Sequence, residues 1–279
     1  MRSKMEAEPY RAVRAVSSFG TRVMIESLKN QKIKDLIKLR DGKHRRRMQR
    51  FLLEGDRETD RAIRNGIQVL EIYACKASLG ELGKSLVEKN PDLVTWVSPA
   101  VFEKIALRDS TGGLCSVGQP RYAYLDDLPR ENLFLIVAEG LEKPGNLGAI
   151  LRTADGAGAD GLVLLDETAD LYNPNCIRAS LGAAFSVPVI RSRHQEFLDF
   201  CQQHKVQLVT ASPHSDSFYY GLDLKSSAAI VLGSEAHGLS GFWESHGTAV
   251  KIPMLGVCDS LNVSVSAAIL AYEVRRQRS

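Results

Sequence analysis

Two hydrophobic patterns divide the chain near residue 131. From Asn132 onward, short unbroken apolar runs alternate with segments of helical character. The runs are LFLIVAEGL (133–141), GLVLLD (161–166), FSVPVI (185–190), VQLVTAS (206–212), AAIVLG (228–233) and VKIPM (250–254). Runs of this length, rich in Val, Ile and Leu and bounded by turn formers, predict strands buried on both faces. Between them, Gly145–Gly158 predicts a glycine loop running into a helix, and Pro174–Ala183, Gln195–His204 and Leu261–Gln277 predict helices. Arg275, Arg276 and Arg278 suit the C-terminal end of the last one. Strand–helix alternation of this kind predicts an α/β domain with a parallel sheet covered on both faces. Ligands of such sheets bind beyond the carboxyl ends of the strands, so the segments after Val137, Leu232 and Met254 are the places to look.

The first part of the chain is less regular. Lys29–Arg50 predicts a helix with Ile33, Leu36 and Ile37 on one face, FLLEG (51–55) a strand, and Asp56–Asn65 a helix closed by Asn65-Gly66. VLEIYAC (69–75) and LVTWV (93–97) predict strands separated by a helix that ends near Asn90. Ser98-Pro99 opens a helix through Ala106, Ser being a good N-cap and Pro a good first helical residue. Together these predict a small α/β sandwich. Arg108–Leu128 holds Ser110-Thr-Gly-Gly113 and Gln119-Pro120 and predicts a linker. The expected division is a flexible extension over 1–26, a first domain over 27–117, a linker over 118–131 and a larger α/β domain over 132–279.

Composition narrows the function. The 279 residues hold no apolar run near the roughly 20 that a membrane helix requires, so no membrane partner is expected. Cys75, Cys115, Cys176, Cys201 and Cys258 are odd in number, scattered and never in C-x-x-C spacing, which points to a reducing compartment without disulfides or a zinc site. The six histidines form no H-x-x-x-H pair, so no metal is expected. Net charge is only +3, but Lys29–Arg50 carries ten Lys and Arg against two Asp, leaving residues 51–279 acidic overall. A basic segment on an acidic protein points to a polyanionic partner, with Lys43, Arg45, Arg46, Arg47 and Arg50 as its contacts. Residues 1–23 lack hydrophobic periodicity. The location expected is the cytoplasm, or an organelle matrix if those residues are a targeting peptide, against which Glu6 and Glu8 count.

Three segments carry candidate chemistry. In E142-K-P-G-N-L-G-A-I-L-R-T-A-D155 a strand feeds glycines and then a helix, with spacing G-N-x-G-x-x-x-R in place of the dinucleotide fingerprint. Gly145 and Gly148 permit close backbone approach, Asn146 can donate and accept, and Arg152 is fixed by the helix. In V231-L-G-S-E-A-H-G-L-S240, Gly233 ends a strand, Glu235 follows and Gly238 turns the chain; no G-x-S-x-G nucleophile elbow is present. In K251-I-P-M followed by S260-L-N-V-S-V-S266, a helix begins on an unusual density of Ser and Asn, which compete with the helical backbone for hydrogen bonds. That start reads both as an N-cap and as a surface offering polar groups to a ligand.

In this order, G-N-x-G-x-x-x-R, L-G-x-E-x-x-G-L-S and I-P-M…S-L-N-V-S-V-S resemble the three motifs of the SpoU (TrmH) family of RNA methyltransferases. The resemblance spans about 132–277, and residues 27–117 resemble that family's ribosomal-protein-like substrate-binding domain. It implies a deep trefoil knot in the larger domain, a homodimer through that domain, and S-adenosyl-L-methionine-dependent methylation of a ribose 2′-hydroxyl. Carried over by position, Leu232, Gly233, Ile252, Met254, Leu261 and Asn262 would hold the cofactor. Asn146, Arg152, Glu235, Asn262 and Ser264 would support the reaction, while Leu261, Val263 and Val265 pack into the knotted core. The family's usual candidate for deprotonating the hydroxyl is Arg152. A guanidinium does not lose its proton in a protein, so the role preferred is binding the adjacent phosphate and stabilising the developing alkoxide. The substrate domain favours ribosomal RNA, a guanosine being one candidate nucleotide. Transfer RNA methylation and a non-catalytic RNA-binding or ribosome-assembly role stand as alternatives.

Overall fold

The basic segment folds as two helices, not one. In a computed structural model describing residues 24–106, 111–166, 169–235 and 237–279, α1 (Gln31–Lys38) stops before Leu39, and α2 (Gly42–Met48) starts afresh. Asp41 caps α2, its carboxylate accepting the N–H groups of Lys43 and His44. Aspartate followed by glycine is a stronger helix start than a helix interior. Of the extension expected over 1–26, residues 1–23 lie outside the described residues, whereas Ile25 bridges Val97 and so belongs to the first domain.

β1 (Phe51–Glu54), α3 (Asp56–Arg64), β2 (Val69–Ala74), α4 (Glu81–Lys89), β3 (Val94–Trp96) and α5 (Pro99–Ile105) follow close to their expected places. The segment Arg108–Leu128, expected as a linker, does not begin as one. β4 (Leu114–Gly118) is wholly buried and lies between β1 and β2, antiparallel to both, in a sheet of order β1-β4-β2-β3. Five residues behind a glycine turn carry too little pattern to announce an interior strand.

The larger domain comprises β5 (Phe134–Glu139), α6 (Pro144–Ala157), β6 (Gly161–Leu165), α7 (Pro174–Ser180), α8 (Ala183–Ser186), β7 (Val189–Ser192), α9 (His194–Gln203), β8 (Gln207–Ala211), β9 (Ala228–Leu232), β10 (Thr248–Val250) and α10 (Val263–Gln277). Its sheet runs β10-β8-β9-β5-β6-β7, with every neighbouring pair parallel. The unbroken apolar runs of β5 and β9 are buried throughout because they hold the centre. Phe134, Ile136 and Ala138 face α6, α7 and α10, while Leu135 and Val137 face α9 and Trp243, as strand alternation requires. Around 181–190 the reading needs correction. Leu181 and Gly182 take left-handed backbone after α7, Phe185 and Ser186 close α8, and the strand starts only at Val189.

The two domains share one core. Phe51, Leu53, Ala62 and Ile67 pack in the same apolar cluster as α6, α7 and α8. The Phe51 ring stacks 4.3 Å from Tyr172. Residues 119–131 are held down as well: Ala123 bridges Ile190, Leu128 is buried, and the Arg121 guanidinium donates to the carbonyls of Asn65 and Phe185. No helix among the described residues is long and apolar enough to cross a membrane.

Candidate active site

The loops leaving the carboxyl ends of β8, β9 and β10 surround a cavity of about 630 Å³, within the roughly 300–1,000 Å³ typical of small-ligand sites. Leu232, Gly233, Ile252, Met254 and Leu261 all line it. Thr210–His214, at the end of β8 and just beyond it, also form its wall; that strand end followed from the parallel-sheet rule but carried no motif to mark it. Gly233 is required by packing, since a Cβ there would stand 2.1 Å from the Gly238 carbonyl carbon. Trp243 lines the cavity too, and its buried indole N–H has no partner among the described residues. A ligand that offers an acceptor to that N–H fits such a wall.

Beside this cavity lies a smaller one of about 190 Å³, lined by Gly140, Lys143, Asn146, Ser234 and Glu235 among others. Ser234 and Glu235 belong to both walls. Glu235 is the hub of a polar cluster. Its Oε1 accepts from Asn146 Nδ2 at 2.8 Å and from Asn262 Nδ2 at 2.5 Å, and its Oε2 pairs with the Lys143 ammonium. The Lys143 and Asn146 bonds hold its carboxyl below the usual carboxylate range, so Glu235 stays an anion. Asn262 also donates to Asn146 Oδ1 at 3.3 Å. It caps α10 as well, its Oδ1 accepting from the Ser264 N–H at 2.9 Å and the Ser264 hydroxyl at 2.6 Å. The dense polar helix start is thus a cap whose spare amide is aimed at the glutamate.

Several expectations need correcting. Asn262 points into the polar cluster and is not among the residues lining the larger cavity. Helix α10 begins at Val263, two residues later than expected, and Val265 is exposed. Asn146 sits within the first turn of α6, so the expected glycine loop is already helix. Gly148 serves helix packing: a Cβ there would stand 2.5 Å from the Cys176 carbonyl oxygen of α7. Arg152 stays apart from the cluster. It is exposed, six residues along α6 from Asn146, which places it about 9 Å further on and on another face.

Arg45, expected on RNA, is buried. Its guanidinium forks onto Asp170 of the larger domain at 2.6 and 2.9 Å and donates to the carbonyls of Leu39 and Arg40. Arg50 pairs with Glu71, whereas Lys43, Arg46 and Arg47 remain exposed. Lys143 was missed. A lysine at the N-terminal end of a helix opposes the helix dipole and so needs an anion nearby, a signal visible in K-P-G-N. The histidine spacing also hid a cluster: Glu139, Asp166 and His194 bring ligand-type atoms within 4.8 Å of one another. There Glu139 already accepts from Ser240 and His194.

A cofactor-sized cavity at the ends of parallel strands, a polar cluster on its rim and a second domain fused beside it define a two-domain α/β enzyme, and comparison with known proteins gives its chemistry. Residues 133–272 match the SpoU rRNA Methylase family, and residues 30–116 match the MRM3-like substrate binding domain. The chain is 31% identical to the 23S rRNA (guanosine(2553)-2'-O)-methyltransferase RlmP of Bacillus subtilis, over 90% of this chain and 98% of that protein. A solved RNA 2'-O ribose methyltransferase is 39% identical, with a TM-score of 0.79 over 92% of this chain and 99% of the other. An AdoMet-bound rRNA methyltransferase from Sinorhizobium meliloti is 29% identical, with a TM-score of 0.83 over 91% and 97%. The protein is an RNA methyltransferase. It belongs to the SpoU rRNA methylase family, whose fold implies the trefoil knot.

Proposed function

We propose that the protein methylates a ribose 2′-hydroxyl of ribosomal RNA with S-adenosyl-L-methionine, a guanosine being the favoured nucleotide by analogy with the Bacillus relative. The observation that carries this reading is the shared wall: Glu235 faces both the larger cavity and the smaller one. The larger takes the cofactor, which supplies an electrophilic methyl group when bound; the smaller receives the target ribose. Ser234 and Glu235 then separate donor from acceptor by one loop thickness, and alignment of the two does much of the catalytic work.

Glu235, kept anionic, is a weak base at neutral pH. Its role is to fix the amides of Asn146 and Asn262 toward the incoming ribose. Arg152 remains free to take the neighbouring phosphate, and Lys43, Arg46 and Arg47 supply further cationic contacts to the RNA. A homodimer is part of this proposal. Arg152 stands outside its own cluster, and Val265 and Tyr272 of α10 are exposed, the Tyr272 hydroxyl lying over Gly156 of α6. A second copy seated on α6 and α10 would cover these side chains and bring Arg152 to a site.

The test is methyl transfer from labelled S-adenosyl-L-methionine to ribosomal RNA extracted from cells lacking the protein, with the product mapped by resistance to alkaline cleavage. A single alkali-resistant ribose in the large ribosomal RNA is expected. Label on a base, or on transfer RNA alone, contradicts the reading.

A further inference from the structure

Glu139 closes the central strand β5 with a carboxylate that is 5% exposed, yet it lines neither cavity. A buried carboxylate is costly unless each oxygen is satisfied. Here Ser240 and His194 occupy both oxygens. Oε2 accepts the Ser240 N–H at 2.8 Å, and Oε1 accepts the Ser240 hydroxyl at 2.6 Å and the Nε2 edge of His194. Burial works to raise its pKa, but the two Ser240 bonds and His194 outweigh it and hold the carboxyl below its usual range.

Ser240 is the far end of the loop that carries Glu235. That loop leaves β9 at Gly233 and folds back on itself, with Ser234 and Gly238 exchanging both backbone hydrogen bonds at 3.0 Å. Its near end is fixed by the sheet and its far end by Glu139. His194 backs the arrangement: it opens α9, its ring meets Phe242 at 5.0 Å and Trp243 at 5.8 Å just after the loop, and its Nδ1 stands 3.8 Å from Asp166. The imidazole therefore presents one edge to Glu139 and the other to Asp166.

We propose that Glu139, backed by His194, is a positioning residue for methyl transfer: it clamps Ser240 so that the loop holds Glu235 against Asn146 and Asn262 and keeps the cofactor wall shut. It touches neither ligand and acts through the loop. The inference rests on the methyltransferase reading above.

The test compares Glu139→Ala, Ser240→Ala and Glu139→Gln with the full-length wild type. Glu139→Ala should lower kcat on the order of 10²-fold, the effect of displacing a reacting group by about 1 Å, and raise the KM for S-adenosyl-L-methionine, with RNA affinity unchanged. Ser240→Ala, which keeps the backbone bond, should lose less. Glu139→Gln, whose amide oxygen can still take the Ser240 N–H, should recover most of the activity. A purely structural role would add to the loss from Glu235→Gln. Action through the loop makes Glu139→Ala/Glu235→Gln no slower than Glu235→Gln alone. If Glu139→Ala does not fold, Ser240→Ala decides by the same double-variant comparison. Wild-type kcat and KM in the variants, or additive losses, overturn the inference while leaving the methyltransferase reading standing; an inactive wild type overturns both.

Discussion

Glu235 collects three donors on two oxygens, and each comes from a different place: Lys143 ahead of α6, Asn146 within it and Asn262 at the head of α10. Replacing it with glutamine removes the charge that pairs with Lys143 and leaves an amide N–H facing either Lys143 or both asparagine amides, so the three bonds can no longer be held together. Glu235→Gln is expected to lower the single-turnover rate on the order of 10²-fold while cofactor affinity, measured calorimetrically, changes little. The pH dependence has a definite sign. Because the folded carboxyl titrates below its ordinary range, the cluster is intact above that range and is lost only as pH falls through the lowered value. Activity should therefore persist on the acid side of neutrality, and a pH–rate profile checks it. Arg152→Ala belongs to the same scale. Its exposed side chain reaches no group of the cluster, so methylation should vanish while cofactor binding stays intact; equal loss of both would remove Arg152 from catalysis.

Adjacent residues of α2 have opposite duties. Arg45 faces inward to Asp170, whereas Arg46 and Arg47 face solvent, because α2 lies on the larger domain and the helical period turns each successive side chain by about 100°. Arg45→Ala is expected to destabilise the fold by about 3 kcal/mol, the cost of stranding a largely buried partner charge, as measured by urea unfolding, with the salt dependence of RNA binding unchanged. Replacing Arg46 and Arg47 with alanine should do the reverse: stability stays, and the slope of log affinity against log salt flattens by roughly 0.7–0.9 for each phosphate that the helix no longer neutralises. An unchanged slope would take α2 off the RNA. At this scale the motif segments were legible in sequence because they sit where strands meet helices. Strand β4 was not, since five residues after a glycine turn show no period.

Across the whole molecule, the substrate-binding and catalytic domains form one mechanical unit. Phe51 of the first domain stacks on Tyr172 of the second within a continuous apolar cluster. An RNA bound on the first domain is thereby held at a fixed distance from the Glu235 loop. Calorimetry should show one unfolding transition, and Phe51→Ala should lower it for both domains together by about 3–5 kcal/mol of stability. Two separate transitions would show that the junction is weaker than its packing implies.

The sequence by itself determined the α/β class, the parallel sheet and the three loops of the site, because buried strands must be apolar throughout and tight turns and helix caps demand particular residues. It also placed Asn146, Glu235, Asn262 and Ser264 among the chemistry-bearing residues. Only the tertiary structure decided which of these meet, since Asn146 and Glu235 are 89 residues apart and touch through the packing of β5 against β9. It likewise took Arg45 out of the basic patch, set Arg152 apart from the cluster and revealed Lys143 and Glu139 as partners of the Glu235 loop. Charge along a chain states how many cations a segment has; the burial of one helix face decides which of them reach solvent.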